Sequence, residues 1–90
     1  MTSEALKAKG NMYEVLESSY FFNAEFLTAE DEQGSIYDFL KEFDMPVYKE
    51  WLKEHENDYY FGVVEVENSF YAVAFEYGDR AAWAVEIESI

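Results

Sequence analysis

Residues 59–88, YYFGVVEVENSFYAVAFEYGDRAAWAVEIE, decide the fold of this 90-residue chain. Three runs rich in Val, Phe, Tyr and Trp are separated by short polar connections, a pattern typical of antiparallel strands. We predict strands over 59–67, 70–77 and 82–88, joined by a two-residue turn at 68–69 and a three-residue turn at 78–80. The result is a three-stranded antiparallel meander.

The length of the second turn sets which side chains share a face of this meander. A three-residue turn collects the large apolar side chains on one face, whereas a two-residue turn would shift the register by one residue and scatter them. The predicted apolar face carries Val64, Val66, Tyr71, Val73, Phe75, Trp83, Val85 and Ile87. The opposite face then carries Glu65, Glu67, Glu76, Glu86 and Glu88, with Ala72, Ala74, Ala82 and Ala84 between them and Phe61, Val63 and Phe70 at one side.

Two central helices follow from apolar residues at helical spacing. The first is predicted to begin at Ser35, which forms a capping-box-like pair with Asp38. Pro46 ends that helix and suits the first turn of the next, with Asp44 as its cap. Their apolar stripes are Ile36, Phe39, Leu40 and Phe43 in the first helix, and Val47, Tyr48, Trp51, Leu52 and His55 in the second.

The N-terminal third gives a weaker pattern. Ser3 is predicted to cap a first helical turn, and a second helix carries the stripe Met12, Val15, Leu16 and Tyr20. Residues 20–28 alternate as a strand would, but a helix is also compatible, and we favour the strand slightly. Residues 29–34 are predicted to form an acidic loop. The expected fold is one α+β domain over 1–90, with N-terminal and central helices packed on the meander and a possible fourth strand at 20–28.

The composition excludes several classes of protein. There are 20 Asp and Glu against 6 Lys and Arg, which gives a net charge of −14, while 50% of the residues are hydrophobic and 20% aromatic. A disordered acidic tail would lack the aromatics, and a basic nucleic-acid-binding patch is impossible. There is no cysteine, no apolar run of membrane-spanning length and no signal-peptide pattern. We expect a cytoplasmic protein that binds neither membranes nor nucleic acid directly.

The sequence contains no recognisable catalytic or cofactor-binding motif. His55 is the single histidine and lies on an apolar helix stripe, and no zinc, P-loop or dinucleotide-binding pattern is present. The segment around Gly34 fails as an EF-hand loop, because Ala29 and Leu40 would occupy the first and last ligand positions. We therefore predict no enzyme activity, no cofactor and no metal.

The acidic face is the candidate site. Two short rows of carboxylates, Glu65 with Glu67 and Glu86 with Glu88, are expected at a spacing comparable to that of phosphates along a DNA strand. A solvated face that protects the sheet from aggregation is the simpler interpretation. The functional interpretation is a partner-binding surface that acts as a phosphate mimic, with Phe61 and Phe70 as apolar anchors. Its carboxylates are Glu65, Glu67, Glu76, Glu86 and Glu88, with help from Glu30, Asp31, Glu32, Asp58 and Asp79.

In size, charge and helix-plus-sheet outline the chain resembles small acidic inhibitors of phages and mobile elements. These are the DNA-mimic anti-restriction proteins, the uracil-glycosylase inhibitors and the anti-CRISPR proteins. The resemblance implies a stoichiometric inhibitor that acts in the host cytoplasm on a basic nucleic-acid-binding protein, such as a nuclease, restriction enzyme or CRISPR effector, and so evades host defence. It assigns no role to any single residue.

Two other functions fit the same sequence. An immunity protein or antitoxin would neutralise a basic nuclease toxin by the same acidic complementarity. A structural or assembly protein would form a homodimer through the aromatic segment 20–27. We therefore leave both a monomer and a homodimer open.

Overall fold

The computed structural model describes residues 6–27, 33–76, 78 and 80–88. Its centre is a five-stranded antiparallel sheet in the order β1-β5-β4-β3-β2. The strands are β1 Tyr13–Glu14, β2 Glu25–Phe26, β3 Tyr59–Val66, β4 Ser69–Glu76 and β5 Arg80–Ile87. The helices are α1 Gln33–Lys41 and α2 Pro46–Glu54, and a short 3₁₀ helix covers Ser18–Phe21. The mixed α+β class is confirmed, but the predicted meander is only the middle of a larger sheet.

The β3–β4 turn lies one residue earlier than predicted. Val66 pairs with Ser69, so Glu67 and Asn68 are the two turn residues. Both have positive φ, 49° and 70°, as the hairpin turn that matches strand twist requires. The register therefore moves by two residues relative to the prediction. Because two is the side-chain period of a strand, the faces of β3 and β4 keep their predicted residues.

A β-bulge overturns the predicted face of β5. Near the turn Glu76 pairs with Arg80 and Phe75 with Ala81, but Ala74 then pairs with Trp83. Ala82 is the extra residue, and its carbonyl oxygen accepts a 2.9 Å hydrogen bond from the N–H of Val15. A bulge of one residue moves every later side chain to the other face.

The helices consequently pack on the face that the sequence analysis assigned to the carboxylates. We call it the helix-covered face, and its buried sheet residues are Phe61, Val63, Ala72, Ala74, Trp83, Val85 and Ile87. Ile36, Phe39, Leu40 and Tyr48 of the two helices complete this core. Small side chains at Ala72 and Ala74 make room for the helices and do not separate exposed glutamates. The predicted five-glutamate face is therefore wrong.

The opposite side, which we call the aromatic face, is also apolar. Its buried residues are Phe21, Val64, Val66, Tyr71, Val73, Phe75, Ala81 and Ala84. The 3₁₀ helix and the ring of Phe26 cover part of it, and both α-helices lie on the other side of the sheet. A sheet that is apolar on both faces needs two covering layers, and here one of them is short.

The predicted N-terminal helix is wrong, because this segment forms the edge strand beside β5. Ala8 bridges to Ile87, and Tyr13 and Glu14 pair with Ala84 and Trp83. Leu16, predicted on an apolar helix face, is 86% exposed. The pairing occupies backbone groups that would otherwise leave β5 as an open edge. The predicted turn at Ser3 lies outside the described residues.

The segment 20–28 contains the predicted extra strand in shortened form. After the 3₁₀ helix, Glu25 pairs with Glu65 and Phe26 with Val64, so β2 is the edge strand beside β3. Residue 28 and most of the predicted acidic loop, residues 29–32, lie outside the described residues.

Both central helices are present, with starts that differ from the predictions. α1 begins at Gln33, so Ser35 lies in its first turn and is not the residue before it. α2 begins at Pro46, and Met45, which precedes it, makes no side-chain cap. Asp44 forms an ion pair with Lys49 in place of the predicted cap, and this cation lowers the pKa of its carboxyl group through a hydrogen bond and charge attraction.

Candidate partner-binding surface

The β3–β4 hairpin brings most of the predicted glutamates to one end of the sheet. Glu67 lies in the turn itself, and Glu65 precedes it on β3. Glu86 and Glu88 come from the end of β5, which adjoins the start of β4. β2 adds Glu25, which sequence reasoning did not select. We call this group the acidic hairpin end: Glu25, Glu65, Glu67, Glu86 and Glu88.

Two of these glutamates form a direct cross-strand pair. Glu25 of β2 lies opposite Glu65 of β3, on the helix-covered side of the sheet. Side chains paired in this way have Cβ atoms about 4.5–5.5 Å apart, and like charges at that distance repel. Such a pair destabilises the isolated fold slightly and is relieved when a cation approaches.

Glu86 and Glu88 lie beside the N-terminal strand segment. The Glu86 carboxylate contacts the Lys9 ammonium at 3.5 Å, and both groups are partly exposed. The backbone N–H of Glu88 donates to the carbonyl oxygen of Lys7 at 2.8 Å. Lys9, Glu86 and Glu88 border an open cavity of about 490 Å³ together with half-buried Phe70. Phe70 also packs against the core of the helix-covered face.

The remaining predicted site residues lie elsewhere. Glu76 is at the opposite end of the sheet, where its carboxylate meets His55 Nε2 at 3.5 Å and Arg80 Nε at 3.6 Å. Asp58 is exposed just before β3, also at that end. Phe61 is buried under α1 against Tyr37, so it does not serve as a surface anchor. Glu30, Asp31, Glu32 and Asp79 lie outside the described residues.

A second surface feature is a groove on the aromatic face, which the sequence analysis did not identify. It is an open cavity of about 370 Å³ between the segment 21–26 and the strands. We call it the aromatic groove, and it is lined by Phe21, Phe22, Ala24, Phe26, Tyr60, Val64, Phe75 and Gly78. The alternation of aromatic residues over 20–26 was its only sequence signal.

Gly62 allows one wall of this groove to form. The ring of Phe26 lies over Gly62 so closely that a Cβ atom there would overlap its Cζ and Cε1 atoms. From this position the Phe26 ring contacts Phe75, with centroids 5.6 Å apart, and Tyr60, with centroids 6.2 Å apart. The missing side chain of Gly62 therefore seats Phe26 against the sheet.

The neighbouring rings of the 3₁₀ helix are held by edge-to-face contacts. Phe21 and Tyr20 both meet the Tyr71 ring at nearly right angles, with centroids 5.4 Å and 5.9 Å away. The hydroxyl groups of Tyr20 and Tyr71 are hydrogen-bonded at 3.1 Å. Burial, and then this hydrogen bond, raises the pKa of Tyr71. These contacts fix the backbone that carries exposed Phe22.

Comparison of the chain with protein-family models, with curated proteins and with solved structures gives no match. Within the described ranges, no helix has the length and apolar character needed to cross a membrane. The same part of the chain holds no group of three or more Asp, Glu or His side chains arranged to bind a metal ion.

Proposed function

We propose that this chain is an acidic binding protein that inhibits a nucleic-acid-binding protein by occupying its phosphate-binding groove. The observation that carries the proposal is the acidic hairpin end, where five glutamates share one end of the sheet, Glu25 and Glu65 on its helix-covered face and Glu86 on its aromatic face. The carboxylates stand in for phosphate groups, and the partner supplies the lysines and arginines.

The density of charge at the acidic hairpin end matches that of a nucleic-acid strand. From β2 to β5 there are three inter-strand steps of about 4.7–4.9 Å, hence about 14 Å in all. One DNA strand carries about one phosphate per 3.4 Å of helix axis, so about four phosphates occupy that length. Five glutamates in the same span, divided between the two faces of this end of the sheet, carry a comparable number of negative charges.

The charge balance of the whole chain supports an intermolecular role. Its 6 Lys and Arg side chains can pair one-to-one with only 6 of the 20 carboxyl groups. A net charge of −14 also exceeds the magnitude of about 2–8 that keeps a small domain soluble. The excess raises the rate of encounter with a basic partner and makes binding sensitive to salt.

The first experiment is capture of the partner. The immobilised chain is exposed to a nuclease-treated host lysate, and bound proteins are eluted with a salt ramp or with excess duplex DNA. We expect one nucleic-acid-binding protein that is released by either treatment. A partner that excess DNA fails to displace, or the absence of any partner, contradicts phosphate mimicry.

A pair of charge-matched variants tests the acidic hairpin end itself. One carries Glu25→Lys, Glu67→Lys and Glu88→Lys. The control carries Glu42→Lys, Glu50→Lys and Glu54→Lys, three exposed positions in or next to the helices. Both have the same net charge, so long-range attraction changes by a similar amount. We expect the first to lose at least tenfold in affinity for the captured partner and the control less than threefold. Equal losses would show that only net charge matters.

A further inference from the structure

We propose that the aromatic groove binds an arginine side chain of the basic partner through cation–π contacts. This inference deepens the proposed function, on which it rests, by assigning a chemical group of the partner to a defined place on the chain. It uses aromatic side chains, whereas the proposed function uses carboxylates.

The geometry of the rings suits a planar cation. Tyr60 and Phe75 are stacked at 5.0 Å with 15° between their planes, and Phe26 lies against both at tilts of 31–33°. Phe22 also lines the groove and is 71% exposed, and Phe26 is 48% exposed. The groove therefore offers two accessible rings to a flat group that enters it. Guanidinium is planar and stacks on aromatic faces, unlike the compact ammonium of lysine.

The residues around the groove determine how a cation would be held. Among the described residues that line it no side chain is charged, so a cation inside the groove contacts their rings. A cation over a ring face gains about 0.5–1 kcal/mol at an exposed site and more when desolvated. Glu86 of the acidic hairpin end pairs with Tyr71 on the aromatic face, and the Tyr71 ring contacts Phe21, which lines the groove. A basic surface that docks on the aromatic face can therefore meet both the groove and this carboxylate.

Charge complementarity favours an arginine of a basic partner in the aromatic groove over a second copy of the chain. Two copies would bring together net charges of −14 each, and that repulsion opposes an interface across exposed rings. A partner rich in arginine is attracted by the same charge. Apolar area and cation–π contact then act at short range, where the carboxylates do not reach.

The test is a titration with short probe peptides followed by NMR shifts of the aromatic ring protons. The probes are Gly-Arg-Gly-Arg-Gly and the same peptide with lysine or with citrulline, which is neutral but shaped like arginine. We expect the arginine peptide to bind at least threefold more tightly than the lysine peptide, and the citrulline peptide to bind most weakly. Equal affinity for arginine and citrulline peptides would overturn the role of the cation.

Variants of unchanged charge locate the binding site. Phe22→Leu removes an exposed ring and keeps an apolar side chain, so the fold is retained, and Phe26→Leu removes the second ring. Val47→Ala, exposed on α2, is the control. We expect each ring variant to weaken arginine-peptide binding at least threefold and the control to leave it unchanged. Equal binding by all three proteins would place the peptide outside the aromatic groove and overturn the proposal.

The two proposals fail in different ways. If the chain captures no basic partner but Phe22→Leu still weakens arginine-peptide binding, the phosphate-mimic function fails and the groove assignment stands. If a partner is captured and Phe22→Leu leaves both partner and peptide affinities unchanged, the groove assignment fails and the role of the carboxylates stands.

Discussion

The two faces of the sheet are built from similar residues but covered very differently. On the helix-covered face, two α-helices bury Leu40 and Tyr48 to 0% and 1% exposure. On the aromatic face, the cover is a four-residue 3₁₀ helix and the ring of Phe26 from the edge strand β2, and Phe22 and Phe26 remain exposed. The helix-covered face provides most of the burial that stabilises the fold, and the aromatic face leaves side chains available for contact with another molecule.

The largest difference should appear when one apolar side chain is removed from each face. Leu40→Ala leaves a cavity beneath the helices and should lower the free energy of unfolding by about 3–4 kcal/mol. Phe22→Ala removes an exposed ring and should cost less than about 0.5 kcal/mol. Urea unfolding followed by tryptophan fluorescence measures both. A Phe22→Ala cost close to that of Leu40→Ala would mean that the aromatic face is also a stabilising core.

A substitution at Gly62 should have an intermediate effect on stability. On the aromatic face the Phe26 ring lies directly over this glycine. Gly62→Ala introduces a methyl group into space held by the Phe26 ring, and it should cost about 1–2 kcal/mol as that ring is displaced. The penalty should largely disappear in a Phe26→Ala background, because the overlap is then absent. The four proteins of this double-mutant cycle are compared by urea unfolding. A penalty that persists without Phe26 would locate the strain in the β3 backbone.

The smallest effects concern one tyrosine hydroxyl on each face. Tyr20→Phe removes the hydroxyl that is bonded to Tyr71 and should cost about 0.5–1.5 kcal/mol. Tyr48 is buried, and its hydroxyl has no hydrogen-bond partner among the described residues, so Tyr48→Phe should be neutral or slightly stabilising. Thermal or urea unfolding distinguishes the two. A clear loss of stability for Tyr48→Phe would reveal a hydrogen bond to that hydroxyl.

The Tyr20→Phe substitution should also change the pH at which Tyr71 ionises. Burial is the main cause of the raised pKa of Tyr71, and the bond to Tyr20 raises it further. Removing that bond should therefore lower the pKa of Tyr71, so that its ring ionises earlier as pH rises. Ultraviolet titration of the two proteins measures the difference, and an unchanged curve would contradict the role of the bond.

Local sequence patterns predicted the two α-helices and strands β3 and β4 well. In these elements the spacing of the apolar residues agrees with the side chains that the fold buries. Ile36, Phe39 and Leu40 have helical spacing and are buried on one helix. The apolar runs of β3 and β4 fall in strands, and Pro46 starts α2 as expected. The N-terminal segment failed because Met12, Val15 and Leu16 also have helical spacing, but pairing with β5 prevails over that local preference.

The faces of the sheet were less predictable than its strands. The connection between β4 and β5 was predicted one residue too late, because β5 begins at Arg80, opposite Glu76, although Ala81 does lie on the face of Phe75. The bulge at Ala82 then reverses Trp83 and the residues after it, and no residue type in the turn indicates that bulge. Glu86 and Glu88 still reach the end of the sheet that holds the β3–β4 turn, because antiparallel β5 ends beside the start of β4. The aromatic groove depends on β2 pairing with β3, a contact between distant segments, so no local pattern could reveal it.

The bulge also gives β5 one position at which the length of the strand can change during evolution. Deleting Ala82 would leave Ala81 opposite Phe75 and Trp83 opposite Ala74 in an unbroken ladder, so the residues after the deletion would keep their faces. A deletion of one residue later in β5 would instead move the residues on one side of it to the opposite face. A shortened β5 should therefore be tolerated best at Ala82, where the loss is the hydrogen bond that its carbonyl oxygen accepts from Val15.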